Sequence, residues 1–303
     1  MNKKLDIVVV SHAGEFDLLR LQAKSIAHFV DPNLINNYIV IWNDDGPTDY
    51  VFETLYKDNS DIKDILRVLP RSNFLSETDR YTGWRMQQVL KVLASRVATS
   101  EYIYVLDTKN HFIRNVNEFD LFDLGGLPFV SLSDYTGSPF ENHLKTCFEY
   151  FGFSYSDRFI IDGLPTITPI VQHRKLVIEM TEAIEEKEKK SFQQCFLDML
   201  VFKKSTEFLL YYAYCAAKYN LDDLYVVRKK NFFTLFKSTI DMPETKSAAR
   251  LRALENDECK SFGLHSGRIG NLRPLEMHII TQTWSRSGLL PFVKLIGLYQ
   301  RLT

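Results

Sequence analysis

The apolar run 102–106 ends in Asp107-Thr108-Lys109-Asn110. A carboxylate at the end of a buried strand can hold a divalent cation or accept hydrogen bonds from the hydroxyls of a ribose or hexose. It could equally cap the turn that follows. A second acidic cluster, Asn43-Asp44-Asp45-Gly46, comes after Val40-Ile41-Trp42. Paired acids there can accept hydrogen bonds from a base or a sugar, or form a simple Asx turn. Glu207 follows Ser205-Thr206 and opens the aromatic run 208–212. It reads as a general base held near the core, or as a first-turn acid that satisfies the helix dipole. Asp134 and Asp162 are rival bases, each in a Gly-containing loop after an apolar stretch. Late in the chain, Phe262-Gly263-Leu264-His265-Ser266-Gly267-Arg268 brackets a histidine with glycines. That spacing suits a loop approaching something closely, with a surface-loop histidine as the competing reading. His12, just past the first apolar run, is a candidate of the same kind. His28, His143 and His173 have no spacing that supports a metal cluster.

These residues need elements to position them. Residues 5–10 are apolar or β-favouring with one Asp among them, and read as a buried strand. Residues 15–30 carry Phe16, Leu19, Ala23, Ile26, Ala27 and Val30 at helical spacing. Strands are predicted at 38–42, 65–69 and 102–106, with a short helix before the second of these and a long amphipathic helix over 79–97 before the third. Alternating strand and helix predicts a mostly parallel sheet covered on both faces. Ligands of such sheets bind beyond the carboxyl ends of the strands. His12, Asn43–Asp45 and Asp107–Asn110 would then share one crevice. Farther on, strands are predicted at 128–133, 167–172 and 224–228. A helix is expected up to Glu179, ending in the solvated charged run 182–190, and an apolar one over 207–217. No linker, repeat or low-complexity block divides the chain, so one catalytic domain is expected, with a nucleotide-binding half (1–133) and a more variable acceptor-side half (134–303).

Composition narrows the function. A chain of 303 residues with 45% hydrophobic and 25% charged residues is an ordinary folded protein with a large core. A net charge of -1 gives no general attraction to nucleic acid, and no nucleic-acid partner is expected. Cys147, Cys195, Cys215 and Cys259 are far apart and form no CxxC pair, so they read as reduced, mostly buried thiols. Neither a signal peptide nor a membrane span is recognisable, and a cytoplasmic protein is expected. The apolar tail 289–299 either packs on the domain or docks on a membrane with Lys294 and Arg301 toward the headgroups, at the inner face. A dehydrogenase is disfavoured because Ser11-His12-Ala13-Gly14-Glu15 lacks the GxGxxG spacing, and no P-loop is present.

Strand–Asp–Asp–Gly early in the chain, then strand–Asp–x–x at its centre, resembles the nucleotide-binding half of GT-A-fold glycosyltransferases. Thr82-Gly83-Trp84-Arg85-Met86-Gln87-Gln88-Val89-Leu90-Lys91, with Thr168-Pro169 and Thr206-Glu207-Phe208 downstream, is similar to an uncharacterised bacterial group of GT-A-like proteins linked to surface polysaccharides. The resemblance covers roughly residues 5–215. It implies a nucleotide-sugar donor and a glycan or lipid-linked glycan acceptor. Asp44 or Asp45 would contact base or ribose, and Asp107 would be the first acid of an aspartate–x–aspartate motif holding ribose and a metal, Mn2+ or Mg2+. His265, assisted by Arg268, would reach the metal or the diphosphate. The chain departs from the pattern at Lys109, which stands where the second acid would be. A protonated lysine neutralises phosphate and cannot ligate a metal. Either Asp107 holds the metal with a distant partner, or the site works without one and uses Lys109 with Arg80 or Arg85, the reading the lysine favours. A nucleotidyltransferase and a catalytically inactive glycan-binding relative are the alternative functions.

Overall fold

The computed structural model of the chain describes residues 3–75 and 83–302. Its first half runs β1 (Leu5–Ser11), α1 (Phe16–Phe29), β2 (Ile35–Trp42), α2 (Asp49–Asp58), β3 (Leu66–Pro70), α3 (Trp84–Leu93) and β4 (Tyr102–Asp107). After β5 (Asn110–Phe112), the short α4 (Glu118–Leu121) and β6 (Phe129–Val130) come α5 (Glu141–Tyr150) and α6 (Arg158–Ile161). Next are β7 (Ile170–His173), α7 (Arg174–Glu188), α8 (Phe192–Asp198) and α9 (Glu207–Lys218). The chain ends with β8 (Val226–Val227), β9 (Phe232–Leu235), α10 (Glu244–Leu251), β10 (Ser261–Leu264), α11 (Pro274–Arg286) and α12 (Leu290–Leu295).

The central sheet has the order β3-β2-β1-β4-β7, parallel except for β7 against β4. This is the α/β class with a mostly parallel, helix-flanked sheet that the sequence predicts. The strand β1 is buried along its whole length because helices cover both faces of the sheet. Its alternate side chains enter different layers. Leu5, Ile7 and Val9 join Leu19, Ala23 and Ile26 of α1, whereas Val8 and Val10 meet Met86, Val89 and Leu90 of α3. Asp6 interrupts the run and is fully buried. Its carboxylate accepts from the Thr99 and Ser100 N–H groups at 2.5 and 2.8 Å and from Asn37 Nδ2 at 2.7 Å, which meets the cost of burying it.

A second sheet, β5-β10-β9, stands after β4 and was not anticipated. Its strands have three or four residues each, too short for a periodicity signal. Gly263 lets β10 pass between its neighbours, since a Cβ there would lie 2.8 Å from Thr234 Oγ1 and 3.1 Å from Asn110 Nδ2. The apolar tail packs on the protein. Leu289, Phe292, Val293, Ile296 and Leu298 are buried with Trp284, Ile280 and Leu264, so most of its apolar surface is unavailable to lipid. Leu295 remains exposed. Among the described residues no helix is long and apolar enough to cross a membrane. All four cysteines are buried and free.

Candidate active site

The sheet changes direction between β1 and β4: the chain winds outward through β2 and β3, then returns to the other side of β1. Loops on either side of such a switch diverge and leave a crevice at the carboxyl ends of the strands. Val10 and Asp107 are register partners there. Both line a cleft of about 370 Å3, together with Lys91, Lys109, Glu207 and His265.

The turn after β4 is held by local and distant polar groups. Gln22 Nε2 donates to the carbonyls of Asp107 and Asn110, both at 2.8 Å, while Tyr38 donates to Gln22 Oε1 at 2.9 Å. The Asp107 N–H donates to Asn110 Oδ1 at 2.9 Å, and Thr108 Oγ1 to the Val10 carbonyl at 3.1 Å. The Asp107 carboxylate is thereby fixed at the crevice. Lys91 donates to one of its oxygens and Lys109 to the other, where Thr168 Oγ1 also donates at 2.8 Å. The Lys91 ammonium reaches Glu207 Oε1 as well, at 3.3 Å.

Two carboxylates and two ammonium groups thus sum to zero charge in a largely buried cluster. Burial pushes the Asp107 carboxyl upward, but Lys109 and Lys91 outweigh it and hold the acid far below its ordinary 3.8. Burial pulls Lys91 down, yet Asp107 and Glu207 hold it well above its ordinary 10.5. Glu207 is raised above its ordinary 4.5, first by burial, against the pull of Lys91 and with a further push from Asp107. Glu207 is the first residue of α9, capped by Thr206, whose hydroxyl accepts from the Leu209 N–H at 3.2 Å. The helix N-terminus and the buried position therefore apply together at Glu207.

His265 follows β10, and its Nδ1 accepts from the Gly267 N–H at 3.0 Å. Burial lowers its pKa, and Lys109 lowers it further, so the ring is neutral at physiological pH. The structure thus brings Asp107, Lys109, Glu207 and His265 into one cleft. Lys91 and Thr168 were missed as site residues. The signal for Lys91 was a lysine within Val89-Leu90-Lys91-Val92-Leu93, a run otherwise apolar and buried.

Other expected residues are placed elsewhere. Asp44 and Asp45 stand at the neighbouring strand end but outside the cleft lining. Asp44 accepts from the Ala13 N–H at 2.6 Å, and Asp45 from Arg71 at 2.5 Å. His12 is a turn cap whose Nδ1 accepts from the Gly14 N–H at 3.1 Å. Asp134 is exposed and closes an Asx turn on the Thr136 N–H at 2.8 Å, away from the cleft. Asp162 lines a separate cavity with Arg158, Leu132 and Tyr219. Arg85 is not among the residues that line the cleft. Its guanidinium donates to the carbonyls of Phe196, Phe202 and Ser205 and stacks 3.9 Å from the Phe196 ring centroid, anchoring the turn that leads into Glu207. Arg80 lies outside the described residues.

Arg268 is also a structural group. It is fully buried, with its guanidinium 2.5 Å from Glu276 Oε2 and 3.3 Å from Thr239 Oγ1. Burial opposes ionisation of Glu276, and hydrogen bonds from Arg273 and Ser247 with the charge of Arg268 bring its pKa down to about 2. Removing one member leaves a buried charge short of compensation. Arg268→Ala is expected to cost about 3 kcal/mol of unfolding free energy, read as a lower denaturant midpoint.

Among the described residues no group of three or more His, Cys, Asp or Glu is gathered as a metal site. The arrangement can present the Lys109 ammonium to an anion, a fixed carboxylate to hydroxyls, and a buried carboxylate of raised pKa to a proton.

Several solved structures are similar in fold. The galactosyltransferase LgtC, in complex with donor and acceptor sugar analogues, is 11% identical over 94% of this chain and 95% of its own, with a TM-score of 0.47. The glycosyltransferase GlyE of Streptococcus pneumoniae TIGR4 is 10% identical over 98% of this chain and 64% of its own, at 0.45. The bifunctional glycosyltransferase WbbM in its apo form is 10% identical over 99% and 52%, at 0.47. No curated protein matches the chain by sequence. A family match covers residues 2–239, which include Lys91, Asp107, Lys109, Thr168 and Glu207, and the chain therefore belongs to the family of unknown function DUF6492.

Proposed function

We propose that this protein is a glycosyltransferase that moves a sugar from a nucleotide-sugar donor to a glycan or glycolipid hydroxyl. The observation that carries the reading is Asp107 at the sheet's switch point, held between Lys91 and Lys109 with Glu207 on the far side of Lys91. Asp107 accepts hydroxyl hydrogens of ribose or of the donor sugar. Lys109, which has Asp107 as its ion-pair partner and is more exposed than Lys91, turns to the diphosphate. In the reaction the acceptor oxygen bonds to the anomeric carbon as that carbon's bond to the phosphate oxygen breaks. Glu207 takes the acceptor's proton, and the negative charge left on the diphosphate meets Lys109. A role in bacterial surface-polysaccharide synthesis rests on the motif resemblance around residues 82–91.

A divalent cation does not fit these residues as they stand. Both oxygens of Asp107 carry ammonium groups, and His265 spends Nδ1 on the Gly267 N–H. We therefore read the diphosphate charge as balanced by Lys109. A mass-spectrometric screen of nucleotide sugars identifies the donor and a transfer assay follows it. Lys109→Ala should lower kcat/KM by about 10^2- to 10^3-fold, and excess chelator should leave the wild-type rate unchanged. Turnover abolished by chelator would overturn the cation-free part. Full activity in Asp107→Ala would overturn the assignment of the centre.

A further inference from the structure

We infer that Trp84 is a stacking platform for a sugar ring of the acceptor, placed on the Glu207 side of the cleft and beyond the reacting hydroxyl. The inference rests on the glycosyltransferase reading and names which part of the substrate this surface takes. Trp84, Gln87 and Lys91 all line the cleft and lie three and seven residues apart, on one face of α3. Lys91 is at the deep end, bonded to Asp107 and Glu207. Trp84 is at the outer end and is 59% exposed. Seven residues of helix place the two about 10 Å apart along the axis. That span leaves room for the reacting sugar unit between the indole and the catalytic carboxylate.

The elements separate the two substrates. Trp84 begins α3, Phe140 immediately precedes α5, and Glu207 and Phe208 begin α9. These helices share one hydrophobic layer, against which Phe140 packs. Lys109 and His265 come from the other wall, at the ends of β4 and β10. The diphosphate belongs with the cation at Lys109. Phe236 lines the Lys109 side as well, so it is the wall with Glu207 and the exposed indole that is left for the sugar whose hydroxyl is deprotonated. A pyranose presents C–H groups on one face, and an exposed indole offers a large rigid apolar surface with a negative π face to receive them. A core role does not explain an indole this exposed, because the other two tryptophans, Trp42 and Trp284, are 1% and 0% exposed.

That contrast also makes the test direct, since ligand-induced changes in tryptophan emission report chiefly on Trp84. Wild type, Trp84→Phe and Trp84→Ala are applied to an immobilised glycan array, and the glycans bound are titrated into each protein by calorimetry, with tryptophan emission followed in the wild type. UDP, GDP and CDP are titrated separately. The expected result is a set of glycans that shifts wild-type emission, binds about tenfold more weakly to Trp84→Ala and is partly recovered by Trp84→Phe, with nucleotide affinity equal in all three proteins. Equal glycan binding by Trp84→Ala, or no array glycan that moves the emission, overturns the platform. So does a nucleotide that quenches wild-type emission and loses affinity in Trp84→Ala, which would make Trp84 a base-stacking residue. If no nucleotide and no nucleotide sugar binds any of the three proteins, the failure is that of the glycosyltransferase reading itself.

Discussion

Glu207→Gln is expected to lower glycosyl transfer by about 10^2- to 10^4-fold and to leave the protein folded. The amide keeps an oxygen for the Lys91 ammonium, which now sits 3.3 Å from Glu207 Oε1, so packing and the nearest hydrogen bond survive. What is lost is a site for the proton. Burial raises the Glu207 pKa above its ordinary 4.5, which makes the ionised form a stronger base than a surface glutamate. The rate should therefore rise with pH through that elevated value and flatten above it, and the glutamine variant should lack this limb. Stability gives an independent sign. A carboxyl with a raised folded pKa binds its proton more tightly when folded, so its ionisation weakens the fold as pH rises through 4.5 toward the folded value. At neutral pH the melting temperature of Glu207→Gln should accordingly hold or increase. An unchanged kcat in a folded variant would remove Glu207 as the base.

The second large effect concerns Lys91. Replacing it with methionine fills much of its volume but removes the ammonium that both carboxylates share. Asp107 and Glu207 would then face one another with Lys109 as their remaining cation, and Glu207 would have lost its partner. The expected cost is about 3–5 kcal/mol at neutral pH, read from urea unfolding. The signature lies in its relief. Acidification protonates Glu207 first, because its pKa is already raised, so the gap to wild type should narrow as pH falls. Lys91→Met combined with Glu207→Gln should recover much of the loss, since residues sharing one ion-pair network do not contribute additively. A variant as stable as wild type would mean that solvent, and not Lys91, compensates the two acids.

The wild-type cluster sets its own pH window. Asp107 lies far below its ordinary 3.8 when folded, so its contribution is present above that value and lost as pH falls below it. Lys91 lies above its ordinary 10.5, so its contribution is complete below that value and lost as pH rises past it.

By itself the sequence determined the scaffold of the site. The strands β1, β2 and β4 each carry an apolar run, the helices between them keep their own period, and each run stops at polar residues that adjoin it in the chain. Local signals of that kind survive folding, because every residue involved is within a few positions of its neighbours. Asp107 at the end of β4 and Glu207 at the start of α9 were legible for that reason. The tertiary structure alone decided what each polar group faces. Lys91 meets Asp107 across 16 positions and Glu207 across 116, and Arg85 reaches carbonyls up to 120 positions away. Arg268 and Glu276 form a pair that any surface loop could have avoided by a different turn. Asp134 and Asp162 resemble Glu207 as acids near apolar stretches, but their loops direct them elsewhere. A side chain's type and its place on an element are set locally, whereas charge pairing and burial depend on which distant element packs beside it. The sequence therefore determined which carboxylates stand at element ends, and the fold decided which of them share an ammonium group.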